Sequence, residues 1–198
     1  MSDVSRETWR ALKSYAALIE RWNQSINLVG KGDISVLWER HFNDCLQLTE
    51  LIPPEGGQVI DLGSGAGLPG IVIALARPDL EVVLVESDTR KAAFLQNAVA
   101  ELGVRARVYP DRIESLTLPP APVVTARALA PLGQLLRYAA PLVAPEGICL
   151  FPKGRNTKTE LTLAAAEWKM EVESLPSRTD PDAVILRIRR ICRVATER

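Results

Sequence analysis

A chain of 198 residues, of which 47% are hydrophobic, is long enough for one domain with a substantial core. Basic and acidic residues number 24 each, so the zero formal charge excludes a uniformly basic nucleic-acid-binding protein and leaves only local basic patches. The cysteines Cys45, Cys149 and Cys192 form no C-x-x-C pair, which argues against a disulfide framework and a zinc site. We therefore expect a single domain over residues 1–198 without a metal.

The N-terminal part predicts two amphipathic helices. Apolar side chains recur every three or four positions over residues 5–26 and again over residues 33–52, where Asp33 can cap the second helix. Residues 1–54 are therefore expected to form a helical extension packed on the rest of the domain. No apolar run approaches the roughly 20 residues that span a bilayer, and no secretory signal pattern is present. We expect a cytoplasmic protein with no membrane partner.

A buried strand, a glycine turn and a helix are predicted by residues 59–76, which read VIDLGSGAGLPGIVIALA. Gly63, Gly65 and Gly67 permit positive φ and let a ligand approach main-chain N–H groups, and Pro69 suits the first turn of a helix. Such a helix N-terminus favours a carboxylate or phosphate. Glu86 follows the next apolar run, about 20 residues on, where an acidic residue binds ribose hydroxyls in nucleotide-binding units. This segment is predicted to bind a nucleoside cofactor.

The acidic residue before the glycines indicates which nucleoside cofactor this segment binds. Residues 65–70 fit G-x-G-x-x-G, so the glycines alone leave NAD(P) open. Asp61, however, resembles the acid in the first motif of class I S-adenosylmethionine-dependent methyltransferases, where it lies near the amino-acid end of the cofactor. S-adenosyl-L-methionine is thus the expected cofactor. The alternatives are an NAD(P)-dependent oxidoreductase, whose catalytic Tyr and Lys or His near the fifth strand are missing, and a non-catalytic RNA-binding protein that senses the nucleoside.

Strands and helices alternate along the remaining chain. Helices are predicted at residues 89–102, near 132–142 and at 157–168, and strands at 81–85, 104–109, 123–126, 148–151, 170–175 and 183–191. This alternation predicts an α/β fold with a mostly parallel sheet, covered on both faces, and a ligand crevice at the strand carboxyl ends. The last two strands, joined without a helix, would form an antiparallel edge. The arrangement resembles the Rossmann-like, seven-stranded class I methyltransferase fold.

Basic residues follow the second to fifth predicted strands. They are Arg90, Lys91, Arg112, Arg127, Lys153 and Arg155. In a parallel sheet they would share one edge, and gathering cations beside a sulfonium costs Coulomb energy unless anions lie between them. Because the cofactor carboxylate supplies only one anion, we expect the others to come from the phosphates of a nucleic-acid substrate.

The reaction is narrowed by groups that the sequence lacks. Residues 125–128 read TARA, so the Asn-Pro-Pro-Tyr-type loop that usually forms the pocket for methylating an exocyclic amine is missing. No Pro-Cys pair is placed for covalent attack on a pyrimidine ring. The single histidine, His41, lies in the N-terminal helices and is expected to be structural. Guanine N7 needs no base because its lone pair carries no proton, so positioning could supply most of the catalysis. A ribose hydroxyl would need a base.

Matching stretches extend over nearly the whole chain. They comprise residues 21–23, 26–28, 40–41, 44, 46, 59–75, 86, 90–91, 94–95, 112–114, 126–128 and 153–154. This ordered set resembles the bacterial small-subunit ribosomal RNA methyltransferase G family, once called glucose-inhibited division protein B. The resemblance implies methylation at N7 of guanine 527 in the 530 loop of 16S ribosomal RNA, within the small subunit or its precursor. Val29 and Cys45 depart from the family's usual Thr and Ser, and we expect neither to touch the cofactor site.

The predicted site has three groups of residues, some of which rest on the resemblance. Arg127 and Lys153 are the predicted catalytic residues. The predicted cofactor-binding residues are Asp61, Gly63, Gly65, Gly67, Leu68, Glu86, Asp111, Ile113, Glu114 and Arg127. The predicted RNA-binding residues are Arg90, Lys91, Arg112 and Arg155. A further cluster, Arg187, Arg189, Arg190 and Arg193, alternates like the solvent face of an edge strand, and its contact with RNA is left open.

Overall fold

The computed structural model describes residues 4–30, 36–55 and 57–194. The helices are α1 (Arg6–Asn23), α2 (Asn43–Thr49), α3 (Gly70–Ala76), α4 (Thr89–Leu102), α5 (Leu132–Ala139) and α6 (Thr157–Ala165). The strands are β1 (Gly57–Leu62), β2 (Leu80–Val85), β3 (Ala106–Tyr109), β4 (Ala121–Ala126), β5 (Val143–Lys153), β6 (Trp168–Pro176) and β7 (Val184–Arg193). A π-helical turn (Trp38–Phe42) precedes α2, and a 3-10 turn (Ile113–Ser115) follows β3.

The seven strands form one sheet in the order β3-β2-β1-β4-β5-β7-β6. β1 pairs in parallel with β2 on one side and with β4 on the other, so the winding direction reverses between β1 and β4. Such a reversal opens a crevice at the strand carboxyl ends, where ligands of α/β folds bind. The predicted α/β architecture is confirmed, and the hairpin of β6 and β7 forms its antiparallel edge.

Apolar side chains on alternate strand positions pack into two cores, one on each face of the sheet. Val59 faces the core that includes residues of α1, α2, α3 and α4, whereas its neighbour Ile60 faces the core that includes residues of α5 and α6. This alternation explains why the strands read as continuous apolar runs, since both faces are covered.

The N-terminal helices differ in detail from the prediction. α1 ends at Asn23 rather than at residue 26, because the Asn23 side chain accepts hydrogen bonds from the backbone N–H groups of Leu28 and Val29, at 2.8 and 3.0 Å. The second predicted helix is a π-helical turn followed by the short α2. The cap predicted at Asp33 lies outside the described residues.

The arginines near the C-terminus lie on β7, which is not the outermost strand as the alternation predicted. β7 runs between β5 and β6, so β6 forms the edge of the sheet. Arg187 forms an ion pair with Glu173 of β6 at 2.9 Å, and Arg190 does so with Glu171 at 2.8 Å. These cations therefore join two strands of the sheet.

Candidate functional site

The turn between β1 and α3 has the backbone that its glycines predict. Gly63, Gly65 and Gly67 all have positive φ, at 64°, 57° and 80°. The Gly65 N–H donates to a carboxylate oxygen of Glu86 at 2.8 Å, and the Ser64 N–H donates to the Val85 carbonyl at 2.9 Å. The turn is therefore fixed to the carboxyl end of β2 as well as to β1.

Asp61 lies beneath this turn and is fully buried. Its Oδ1 accepts a hydrogen bond from the Thr125 hydroxyl at 3.0 Å, and its Oδ2 accepts one from the Gly70 N–H at 3.2 Å. Burial raises the pKa of Asp61 to about 6, although these hydrogen bonds oppose the shift. Through these two hydrogen bonds, the Asp61 carboxyl group links β1 to β4 and to the start of α3.

A cavity of about 510 Å³, which we call the glycine-turn cavity, lies over the turn. This volume is within the range of small-ligand sites. The predicted site residues that line it are Gly63, Gly65, Leu68, Glu86, Lys91, Asp111, Arg112, Ile113, Glu114 and Arg127. Asp61 and Gly67 are not among its lining residues, since they lie behind the wall. The structure thus brings together most of the predicted cofactor-binding residues.

Some residues of the glycine-turn cavity were not predicted. Tyr138 of α5 lines it and donates a hydrogen bond to Glu114 at 2.9 Å; the backbone N–H of Glu114 and this bond lower the pKa of Glu114. Leu28 and Val29 also line it, so the expectation that Val29 lies away from the cofactor site is wrong. Cys45 is buried in the core, as its apolar helix position suggests, and burial raises its pKa to about 12.

A second cavity of about 940 Å³, the Lys153 cavity, adjoins the first and shares His41, Arg127, Ala128 and Leu129 with it. Its walls come from the π-helical turn and α2, from the loop after β4, from the end of β5 and from the β6–β7 loop. Parts of the chain that are distant in sequence therefore meet around one space.

Arg127 lies where the two cavities meet. Its Nη1 is 3.0 Å from His41 Nδ1 and 3.4 Å from Asp44 Oδ2, and the side chain is only 18% exposed. The next residue, Ala128, has a φ of 54°, a left-handed conformation that is costly for a residue with a Cβ. His41, which was expected to be structural, thus contacts a predicted catalytic residue and lines both cavities.

Lys153 lines the second cavity and is 10% exposed. Its Nζ donates to Glu160 Oε2 at 2.7 Å and to the Ala130 carbonyl at 2.9 Å. The same Glu160 oxygen accepts the Leu132 N–H at 2.7 Å. Lys153 and Glu160 together hold the loop that connects β4 to α5.

The β6–β7 loop is joined to the N-terminal helices by contacts that no sequence pattern indicated. Thr179 donates to Asp44 Oδ1 at 3.1 Å, and Gln47 donates to the same oxygen at 2.9 Å. The Arg178 N–H donates to the Gln47 side chain at 3.1 Å. Asp44 lay in a matched stretch of sequence, whereas nothing in residues 177–182 marked them as part of a site.

The expectation that the basic residues need anions from a substrate is wrong. Four of the six predicted basic residues pair with carboxylates of the protein itself: Arg90 with Asp88, Arg127 with Asp44, Lys153 with Glu160, and Arg155 with Asp182. Their positions therefore do not require substrate anions. Lys91 and Arg112 line the glycine-turn cavity and form no ion pair with another described residue, whereas Arg90 and Arg155 line neither cavity.

The described residues include no group of three or more His, Cys, Asp or Glu side chains that could hold a metal ion. Among the same residues, no helix has the length and apolar character needed to cross a membrane.

Comparison with solved structures shows the fold. The ribosomal protein L11 methylase from Lactobacillus delbrueckii subsp. bulgaricus is 14% identical, with a TM-score of 0.59 over 74% of this chain and 76% of that chain. The N-methyltransferase NodS from Bradyrhizobium japonicum, solved in complex with S-adenosyl-L-homocysteine, is 14% identical, with a TM-score of 0.56 over 93% of this chain and 98% of that chain. The fold is that of class I S-adenosylmethionine-dependent methyltransferases.

Comparison with sequences shows the family. The ribosomal RNA small subunit methyltransferase G of Acidiphilium cryptum is 54% identical over 97% of this chain and 89% of its own length. The protein of the same name from Gluconobacter oxydans is 50% identical over 95% of this chain and 96% of its own length. The model of the family described as rRNA small subunit methyltransferase G matches residues 8–184. The chain therefore belongs to the rRNA small subunit methyltransferase G family.

Proposed function

We propose that the protein transfers the methyl group of S-adenosyl-L-methionine to N7 of guanine 527 in the 530 loop of 16S ribosomal RNA, in the bacterial cytoplasm. The observation that carries this proposal is the meeting of two cavities at Arg127. One cavity has the turn and the acidic residue of a nucleoside site, and the other has room for a base beside it. Family membership supports ribosomal RNA of the small subunit as the substrate.

The glycine-turn cavity has the groups that S-adenosyl-L-methionine needs. Glu86 accepts one backbone N–H on each oxygen, from Gly65 and Asp88, and each oxygen keeps a lone pair for a ribose hydroxyl. The Ala66 N–H, at the wall of the cavity, has no acceptor among the described residues and can bind the cofactor carboxylate. When bound, the cofactor supplies an electrophilic methyl group on a sulfonium. The complex of NodS with S-adenosyl-L-homocysteine supports this cofactor class.

Asp61 and Gly67 contribute to this cavity from behind. Asp61 fixes the start of α3 through the Gly70 N–H, and a Cβ on Gly70 would lie 2.7 Å from the Asp61 carboxylate. Leu68, Asp111, Ile113 and Glu114 complete the wall on which the nucleoside would rest.

The Lys153 cavity suits a nucleophile that needs no base. Its half-buried carboxylates are already engaged, Asp44 by Arg127, Gln47 and Thr179, and Glu160 by Lys153 and Leu132. Guanine N7 brings its own lone pair and gains positive charge as the methyl group is transferred. Because Arg127 and Lys153 are each neutralised by a carboxylate, the cavity wall does not oppose that charge.

Arg127 and Lys153 would act on the acceptor side. Arg127, held by Asp44 and His41, would position the base or a neighbouring phosphate at the junction of the cavities. Lys153 would hold the loop after β4 through the Ala130 carbonyl. Lys91 and Arg112, which form no ion pair with another described residue, are the cations best placed for RNA phosphates, while RNA contacts by Arg90 and Arg155 remain predictions.

Mass mapping of the methylated nucleotide tests the proposal. Small ribosomal subunits that lack the modification are incubated with the protein and S-adenosyl-L-methionine, and the 16S RNA is digested and analysed. We expect one added methyl group, on guanine 527, with the strand cleavage after borohydride and aniline that marks N7 methylation. A methyl group on a ribose or on another base would contradict the proposal.

This assay and titration calorimetry separate the two alternatives. A non-catalytic nucleoside sensor would bind the cofactor and yield no methylated RNA. An oxidoreductase would bind NADH rather than S-adenosyl-L-methionine in titration calorimetry, and family membership already argues against it.

A further inference from the structure

The glycine turn contacts the N-terminal extension through one buried polar group. Tyr15 of α1 is fully buried, and its hydroxyl donates a hydrogen bond to the Ala66 carbonyl. The N–H of Gly67 donates to the Ser64 carbonyl at 2.7 Å. The Ala66 carbonyl and the Gly67 N–H belong to the same peptide group, which is planar. That peptide plane is therefore held from both sides.

The orientation of Ala66 bears directly on the ligand. Ala66 lines the glycine-turn cavity, and its N–H, like that of Gly63, has no acceptor among the described residues. The N–H groups of Ser64, Gly65 and Gly67 are all bonded within the turn or to Glu86 and Val85. A free N–H in such a turn is an anion-binding group. The Ala66 N–H belongs to the preceding peptide group, which joins the held peptide group at the Ala66 Cα. A displacement of the Ala66 backbone would therefore move this donor.

The Tyr15 ring has little freedom to move. It stacks on Phe42 with ring centroids 5.4 Å apart and an angle of 7° between the planes. A Cβ on Gly67 would lie 2.7 Å from the Tyr15 hydroxyl, so the ring also packs tightly against the turn. Phe42 follows His41, the residue that contacts Arg127. The same segment thus supports the cofactor turn and borders the Lys153 cavity.

We propose that Tyr15 is a positioning residue for the methyl donor. Its hydroxyl holds the Ala66 carbonyl and so presents the Ala66 N–H to the carboxylate of the cofactor. This proposal rests on the proposed function, which assigns S-adenosyl-L-methionine to the glycine-turn cavity. It gives the N-terminal extension a role in cofactor binding in addition to its role in the acceptor cavity.

Tyr15→Phe tests the proposal because it keeps the stacked ring and removes only the donor. Loss of one hydrogen bond to a buried carbonyl should raise the Kd for S-adenosyl-L-homocysteine about 5- to 30-fold in titration calorimetry. In turnover, the KM for S-adenosyl-L-methionine should rise in parallel, while kcat at saturating cofactor stays within about two-fold. Ile188→Val, a core truncation on β7, is the control for lost stability, and its Kd should match wild type.

The outcomes are distinguishable. Tyr15→Phe with a wild-type Kd and a Tm lowered as in Ile188→Val would reduce Tyr15 to a structural role and overturn the proposal. Wild-type protein that fails to bind S-adenosyl-L-homocysteine would overturn the proposed function as well. Where Tyr15→Phe does not fold, Phe42→Leu serves instead: it keeps the hydroxyl and removes its stacking partner. We expect its Kd to rise about 2- to 5-fold, and an unchanged Kd would refute the inference.

Discussion

The glycine-turn cavity and the Lys153 cavity are assembled from different kinds of chain segment. Most of the first comes from residues 59–114, where β1, β2 and β3 each end in a loop that faces the same space. The second combines the π-helical turn and α2 with residues 127–131, the end of β5 and the loop after β6. The glycine-turn cavity thus depends on local backbone geometry, whereas the Lys153 cavity depends on long-range contacts.

The polar groups of the two cavities also differ. The glycine-turn cavity contains the Ala66 N–H, which has no acceptor among the described residues, and the cations Lys91 and Arg112, which form no ion pair with another described residue. In the Lys153 cavity, Arg127 and Lys153 are both ion-paired within the protein. The first cavity is therefore suited to bind an anionic ligand group tightly, whereas the second is suited to place a neutral base.

The largest effect is expected from Gly65→Val, which should abolish cofactor binding. A Cβ on Gly65 would meet only the Gly63 carbonyl, at 3.8 Å, so the side chain does not clash with the core. It would instead occupy the glycine-turn cavity, and the positive φ would add about 1–2 kcal/mol of strain. Calorimetry should show at least a 100-fold rise in the Kd for S-adenosyl-L-homocysteine, while circular dichroism shows a folded chain.

Two other glycines serve as controls for that variant. In Gly67→Val the new side chain would clash with Ile71 and Tyr15, so this variant should lose the fold itself. Gly133→Val places a side chain in open space on α5 and should bind as wild type does. Unchanged affinity in Gly65→Val would show that the turn does not form the cofactor site.

The next effect is on catalysis. Arg127→Ala should lower the rate of methyl transfer at least about 100-fold, because it removes a positioned cation at the junction of the cavities. The Kd for S-adenosyl-L-homocysteine should change less than about ten-fold, since the groups on the glycine turn are intact. Arg137→Ala, which removes an exposed arginine paired with Glu167, is the matched control and should turn over normally.

Either of two results would contradict this division of roles between the two cavities. Equal turnover by Arg127→Ala and wild type would remove Arg127 from the site. A loss of cofactor affinity as large as the loss of rate would show that Arg127 acts in cofactor binding rather than on the acceptor side.

A smaller effect is expected at Lys153. Lys153→Met leaves Glu160 without its cation, which should lower the free energy of unfolding by about 1–3 kcal/mol. The double variant Lys153→Met, Glu160→Gln should recover most of that stability. Its activity should remain about ten-fold below wild type, because the Ala130 carbonyl has lost its donor. Denaturant unfolding and turnover measure the two quantities, and recovered activity would mean that Lys153 only neutralises Glu160.

The difference between the cavities also explains what sequence could predict. The Gly63–Gly67 spacing and Glu86 predicted the glycine-turn cavity because strand, turn and acid are set by neighbouring residues. The mostly parallel sheet followed from the alternation of strands with helices, and the antiparallel pairing of β6 with β7 followed from the missing helix between them. No local pattern shows that His41 and Asp44 contact Arg127, more than 80 residues further along the chain. Ion pairs such as Lys153 with Glu160 likewise depend on packing, so the sequence suggested free cations.

The last effect is a pH dependence of stability at Asp61, which lies under the glycine turn. Burial raises its folded-state pKa to about 6, whereas an unfolded aspartate titrates near about 3.9. Between these values the folded protein keeps a proton that the unfolded chain has lost, so this carboxyl stabilises the fold less as the pH rises from about 4 to 6, by about 3 kcal/mol in all. Asp61→Asn lacks this titration, and denaturant unfolding should show it gaining stability relative to wild type over that range.

Asp79 gives the opposite sign and so serves as a control. Hydrogen bonding to Arg77 lowers the pKa of Asp79, so Asp79→Asn should lose stability relative to wild type as the pH rises through the acidic range. If the difference for Asp61→Asn were independent of pH, the buried carboxyl would be charged throughout. The positive charge of Arg127, which acts to lower the pKa of Asp61, would then neutralise the Asp61 carboxylate. The electrostatics of the glycine turn and of the junction between the cavities would be coupled.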